Sequence, residues 1–140
     1  MKEEKEREAQ QTLILYQLLQ NHLEQLKNQA ALFERRLMET EITKQTLNDL
    51  KKSKESDVLI PLGSGCYSHG SIRNSEKIIT DVGAGIFVER ETGQTNEILE
   101  SNKTEIENLS KNLQDEINTT VKRLNDVALQ IEQMQKDVKE

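Results

Sequence analysis

The sequence predicts a mainly α fold, an antiparallel coiled-coil hairpin of two long helices with two β-hairpins between them. Three observations carry this. Two apolar seams at heptad spacing run through the first and last thirds of the chain. Pro61 and five of the six glycines lie between residues 61 and 85, and the sixth is Gly93, so backbone breakers are confined to the middle. The middle also repeats itself, residues 58–68 against 78–88. Composition agrees. With no Trp, two Phe and two Tyr, the chain lacks the large side chains that fill a closed core. A helical seam needs only a narrow apolar stripe, and 31% charged residues supply the remaining faces.

In the first arm, alternating steps of four and three give Thr12, Tyr16, Leu19, Leu23, Leu26, Ala30, Phe33, Leu37, Thr40, Lys44 and Leu47. Eight of these eleven are apolar, which is the coiled-coil period, and predicts a helix over 3–52. The second arm gives Ile106, Leu109, Leu113, Ile117, Thr120, Leu124, Val127, Ile131, Met134 and Val138, and predicts a helix over 96–139. Two consecutive steps of four, from Leu109 to Ile117, read as a stutter that locally unwinds the supercoil. Thr95 or Asn96 is the expected N-cap, with Glu97 complementing the dipole. Folding back buries both seams at once. If Lys52 lies opposite Asn96, Leu13 to Leu19 face roughly residues 129 to 135.

Residues 57–91 form the β module. The copies Val-Leu-Ile-Pro-Leu-Gly-Ser-Gly-Cys-Tyr-Ser and Ile-Ile-Thr-Asp-Val-Gly-Ala-Gly-Ile-Phe-Val each read as run, Gly-x-Gly turn, run. Alternation places Val58, Ile60 and Leu62 on one face, with Ile78 and Val82 on the matching face of the second copy. Isolated hairpins are marginal, and open edges invite pairing with another chain. The module is therefore expected to drive oligomerisation through Val58, Ile60, Leu62, Gly63, Gly65, Ile78, Val82, Gly83, Gly85, Ile86 and Val88.

Several functions are disfavoured. The net charge of −6 argues against nucleic acid, since phosphate binding needs clustered cations; Lys51, Lys52 and Lys54 sit beside Glu55 and Asp57. Gly63-Ser64-Gly65 and Gly83-Ala84-Gly85 lack the third glycine of a dinucleotide fingerprint and the Lys of a P-loop. Cys66 and His69 fall on opposite faces of one strand with no orienting acid, and Cys66 reads as a buried small residue. Two His and one Cys are too few for a Cys/His metal site. No catalytic residue, metal or cofactor is expected. No stretch is apolar enough to span a membrane, and the charged first ten residues carry no apolar signal core, so the expectation is a cytoplasmic protein.

Residues 12–19 stand apart. The seam needs Tyr16 and Leu19, yet Leu13, Ile14, Leu15 and Leu18 are apolar as well and wrap the helix. They read either as a wider seam or neighbour contact, or as an exposed grip for non-native protein in which Met134 and Val138 take part.

The pair Val58-Leu59-Ile60-Pro61-Leu62-Gly63-Ser64-Gly65 and Asp81-Val82-Gly83-Ala84-Gly85-Ile86-Phe87-Val88-Glu89 resembles the alpha class of prefoldin subunits, above all archaeal ones, and the order of arm, two hairpins and arm extends the resemblance to nearly the whole chain. Beta-class prefoldins carry one hairpin, so the doubled hairpin favours alpha. The resemblance implies an ATP-independent chaperone in which two alpha and four beta subunits join their hairpins into a platform. Coiled-coil tips then hold unfolded polypeptides for delivery to a group II chaperonin. The alternative is a structural coiled-coil scaffold that oligomerises without binding clients.

Overall fold

The computed structural model describes residues 1–52 and 57–139; Lys54 and Glu55 of the short basic run lie outside the described residues. Helix α1 spans Lys2–Lys52 and helix α2 spans Thr92–Lys139. Between them lie strands β1 (Asp57–Gly63), β2 (Cys66–Ser71), β3 (Lys77–Gly83) and β4 (Ile86–Glu91). The strands form two separate antiparallel hairpins, β1 with β2 and β3 with β4. The chain divides into two units, Met1–Arg35 with Glu107–Glu140 and Arg36–Ile106.

The first unit is an antiparallel helix pair. Leu26, Leu113 and Ile117 form its buried core, with Leu23, Ala30 and Phe33 packed against them. Every expected α1 seam position is buried or half-buried. The α2 seam departs from expectation at Leu109, which is exposed, while Ser110 is half-buried in its place. With Ser110 substituted, the steps from Ile106 to Met134 alternate four and three without interruption, so the expected stutter is absent. A small polar side chain thus occupies a seam position that apolarity alone assigns to the neighbouring leucine.

The pairing register also differs. His22 lies 3.4 Å from Glu116, and Leu26 packs with Leu113 and Ile117. Leu26 with Ile117 sums to 143, and Glu41 with Lys103, Lys44 with Glu100 and Asn48 with Asn96 each sum to 144. Carried along two helices of equal rise, this sets Leu13 to Leu19 opposite about residues 124 to 131 rather than 129 to 135. Met134 then lies across from about residue 9, roughly 6 Å beyond Leu13.

The second unit holds the adjoining part of each helix and both β-hairpins. Leu47 is buried, but many of its interhelix contacts are polar. The Lys44 ammonium donates to Glu100, and Lys103 reaches Glu41 at 3.0 Å. The Asn96 side-chain N–H donates to the Asn48 carbonyl oxygen at 3.4 Å. Asn96 is therefore not an N-cap, and α2 starts four residues earlier, at Thr92. Thr92 is only 2% exposed; its N–H donates to the Glu76 carbonyl at 2.8 Å and its hydroxyl to the Ser75 carbonyl at 2.6 Å. These bonds tie the first turn of α2 to the segment joining the hairpins and satisfy donors that a helix start otherwise leaves free. Thr95 bonds back to the Glu91 carbonyl within the helix.

Candidate functional site

The two hairpins have the same register, shifted by the repeat. Leu59 faces His69 and Pro61 faces Tyr67 in the first; Ile79 faces Glu89 and Asp81 faces Phe87 in the second. Each turns through two residues with positive φ, Ser64 (51°) and Gly65 (77°), then Ala84 (52°) and Gly85 (73°). This is the type I′ pattern that matches strand twist, and it explains the second glycine of each triplet. Ser64 and Ala84 hold the left-handed conformation without being glycine, a strain of about 1 kcal/mol or more each that the flanking ladders overcome. In both hairpins the register shifts just before the turn, between Pro61 and Gly63 and between Asp81 and Gly83.

That bulge corrects the expected faces. The extra residues are Leu62 and Val82, so neither continues the alternation of Val58 and Ile60 or of Ile78. Both are exposed, as are Ile60 and Ile86, whereas Val58, Ile78 and Val88 are half-buried. Ile60 lies over Gly70, where an added Cβ would clash with its terminal methyl. Cys66 is exposed rather than buried.

Four residues outside the expected assembly set complete the surface. Leu59 and Tyr67 on the first hairpin, and Ile79 and Phe87 at the equivalent positions of the second, point away from the half-buried face and are exposed. Alternation from Val58 and Ile78 selects the other face; the repeat of an aliphatic and an aromatic at matching places is the sequence signal that marks this one. An aliphatic–aromatic pair on adjacent strands is the unit that sheet packing uses.

In the first unit, Leu13, Ile14 and Leu18 are exposed, Leu18 to 60%, while Leu15 is half-buried and belongs with the seam. Met134 is half-buried, and Val138 is 83% exposed near the end of α2. Across the pair, Met134 faces about residue 9 and Val138 about residue 5, so Val138 lies roughly 12 Å beyond Leu13 toward the chain ends. Exposed Leu129 lies on the α2 stretch opposite Leu13, Ile14 and Leu18.

One carboxylate responds to its surroundings. The Glu100 carboxyl is held below its usual value by the hydrogen bond and the charge of Lys44, helped by Lys103. Among the described residues no group of three His, Cys, Asp or Glu is placed to hold a metal, and no helix is long and apolar enough to cross a membrane. The surfaces offered are apolar and suited to contact with other polypeptides.

Comparison with known proteins agrees. The Prefoldin family, described as prefoldin subunit, matches residues 19–137. Prefoldin subunit alpha of Archaeoglobus fulgidus is 34% identical over 110 residues, 73% of this chain and 75% of that protein. Prefoldin subunit alpha of Pyrococcus horikoshii is 30% identical over 122 residues, 86% of this chain and 82% of that protein. Among solved structures, a filamentous prefoldin from Methanocaldococcus jannaschii, determined by cryo-electron microscopy, superposes with a TM-score of 0.69 at 19% identity, covering 86% of this chain and 98% of that one, a likeness of fold. A family match over both helices and hairpins, together with alpha subunits at this level of identity, means that the chain belongs to the prefoldin subunits, which are chaperones and not enzymes.

Proposed function

We propose that this chain is the alpha-class subunit of a cytoplasmic, ATP-independent holding chaperone. Two copies join four beta-class subunits through the hairpins, and the coiled-coil ends hold unfolded polypeptides for transfer to a group II chaperonin. The observation that carries the reading is the pair of hairpins that leaves Leu59, Tyr67, Ile79 and Phe87 exposed. Apolar side chains in matching places on marginal two-stranded ladders call for burial by further strands. The hairpin set Val58, Ile60, Leu62, Ile78, Val82, Ile86 and Val88, with the turn glycines Gly63, Gly65, Gly83 and Gly85, forms the rest of the assembly module.

The client grip is Leu13, Ile14 and Leu18, with Met134 and Val138 as a second apolar stretch nearer the chain termini and Leu15 supporting from the seam. Contact with an unfolded chain removes apolar area from water, worth ~25 cal/mol per Å². Several such weak grips on separate subunits act together through effective concentration.

The test is co-expression with a beta-class subunit, followed by mass measurement of the complex and an aggregation assay with a chemically denatured client. The expected result is a complex of two alpha and four beta subunits that delays aggregation. Leu13→Ser, Ile14→Ser and Leu18→Ser together leave its mass unchanged and reduce the delay. A complex that assembles yet never delays aggregation supports the scaffold reading instead.

A further inference from the structure

The two hairpins share register and turn but differ in charge on the face that carries their exposed apolar pairs. On the first hairpin this face presents Leu59, Pro61, Tyr67 and His69, with Asp57 at its base. On the second it presents Ile79, Asp81, Phe87 and Glu89, with Lys77 and Glu91 opposite each other at the base. Asp81 stands where the first hairpin has Pro61, and Glu89 where it has His69. Ile79 and Phe87 are 67% and 63% exposed, and Asp81 and Glu89 are exposed as well. Lys77 and Glu91 offset one another, so two carboxylates remain beside an uncovered apolar pair.

We infer that the outer face of the second hairpin docks a non-identical prefoldin subunit whose opposing face carries Lys or Arg, and that Asp81 and Glu89 select it. The inference rests on the assembly proposed above and specifies the chemistry of one of its contacts. Two arguments favour this occupant over a second copy of the chain. A two-fold contact brings two copies of this patch together, and since Lys77 offsets only one of the three carboxylates, two net-negative faces would meet. Like charges brought together in an apolar contact exclude a partner, whereas opposite charges draw it in and set the register. The first hairpin has no such barrier between its apolar pair and an identical copy.

The role of Asp81 in its own turn suggests the conservative substitution. Its carboxylate accepts the Gly83 N–H at 2.9 Å, and Asp81→Asn keeps an oxygen there. The experiment mixes the full chain with a beta-class subunit and measures uptake by native mass spectrometry and by titration across a salt series. Three forms are compared: wild type, Asp81→Asn with Glu89→Gln, and Glu89→Lys. Far-UV circular dichroism confirms that the helices persist in each. The expected result is beta-subunit uptake weakened about tenfold or more in Glu89→Lys and less in the neutral pair, with wild-type uptake falling as salt rises. Self-association of the variants is unchanged or strengthened. Uptake equal to wild type in both variants, or uptake independent of salt, overturns the inference while leaving the assembly intact. A loss confined to self-association overturns it in favour of a second copy. Failure of the wild-type chain to take up any beta-class subunit removes the proposed assembly itself, and this contact with it.

Discussion

The two units use one heptad period to opposite ends. In the first, the buried seam is Leu19, Leu26, Leu113, Ile117 and Val127, interrupted by Thr120. In the second, the positions at the same spacing mix half-buried Leu37, Leu99 and Ile106 and buried Leu47 with the polar Thr40, Lys44, Thr92, Asn96 and Lys103. An apolar seam stabilises through area removed from water and tolerates sliding by a heptad, because leucine meets leucine again. A polar seam contributes less stability but penalises the wrong register, since a displaced Lys44 or Asn96 loses its partner. The difference teaches that periodicity reports where a helix is buried and leaves open what that burial does.

The largest effect expected from breaking this contrast is in the first unit. Leu26→Ala removes a core side chain that touches the Leu113 and Ile117 cluster, and should cost about 2–4 kcal/mol. Urea denaturation of the assembled protein reads it as a lower midpoint at unchanged slope. A cost well under 1 kcal/mol would mean that the helices repack around the site and that the apolar seam is loosely held.

Thr92→Val ranks next. It keeps the shape but removes the hydroxyl that donates to the Ser75 carbonyl, leaving a part-buried acceptor without its partner. The expected cost is about 1–2 kcal/mol. Hydrogen exchange should locate it, with faster exchange at the Thr92 amide, which donates to the Glu76 carbonyl. Equal protection in the variant would show that the backbone bond alone holds the helix start.

What could be read in advance follows the same division. The seam of α1 was legible residue by residue, because leucine, alanine and phenylalanine at heptad spacing leave one solution. The paired hairpins were legible because Gly-x-Gly recurs with the same flanks. Illegible were the features set by contacts distant in sequence. Ser110 takes a seam position beside a more apolar Leu109, a choice made by the opposing helix. Thr92 starts α2 because the Ser75 and Glu76 carbonyls reach it, while Thr95 and Asn96 looked better as caps on local grounds. Leu62 and Val82 left their expected faces because a bulge costs nothing visible in an apolar run. The apolar excess at Leu13, Ile14 and Leu18 was plain, but its companions on α2 depended on a register that no single helix encodes.

Asn96→Leu sharpens the comparison from the other direction. The Asn96 carbonyl oxygen is buried with no hydrogen-bond partner among the described residues, a cost already present in the folded chain. Leucine removes that cost and extends the apolar seam, so stability should rise or hold within about 1 kcal/mol. The loss should appear in specificity, as extra interhelix cross-links when cysteines are placed at neighbouring heptads. A single cross-linked register in the variant would assign register to the ionic pairs instead.

The smallest effect expected belongs to those pairs. Lys44→Met keeps an apolar stem in the seam and removes the ammonium that donates to Glu100. Because the Glu100 carboxyl is held below its ordinary value of 4.5 chiefly by Lys44, its ionised form is favoured in the folded chain. A depressed carboxylate contributes stability above its unfolded value and loses it as the pH falls through the folded one. Wild type should therefore exceed Lys44→Met in stability at neutral pH, and the gap should close below about pH 4.5. Glu100 is solvent-exposed, so salt should narrow the gap at every pH. Thermal unfolding of both forms at neutral and acid pH, at low and high salt, measures it. A gap that survives acid and salt would trace the loss to packing of the Lys44 stem, and the second unit would then draw its stability from area removed from water, as the first does.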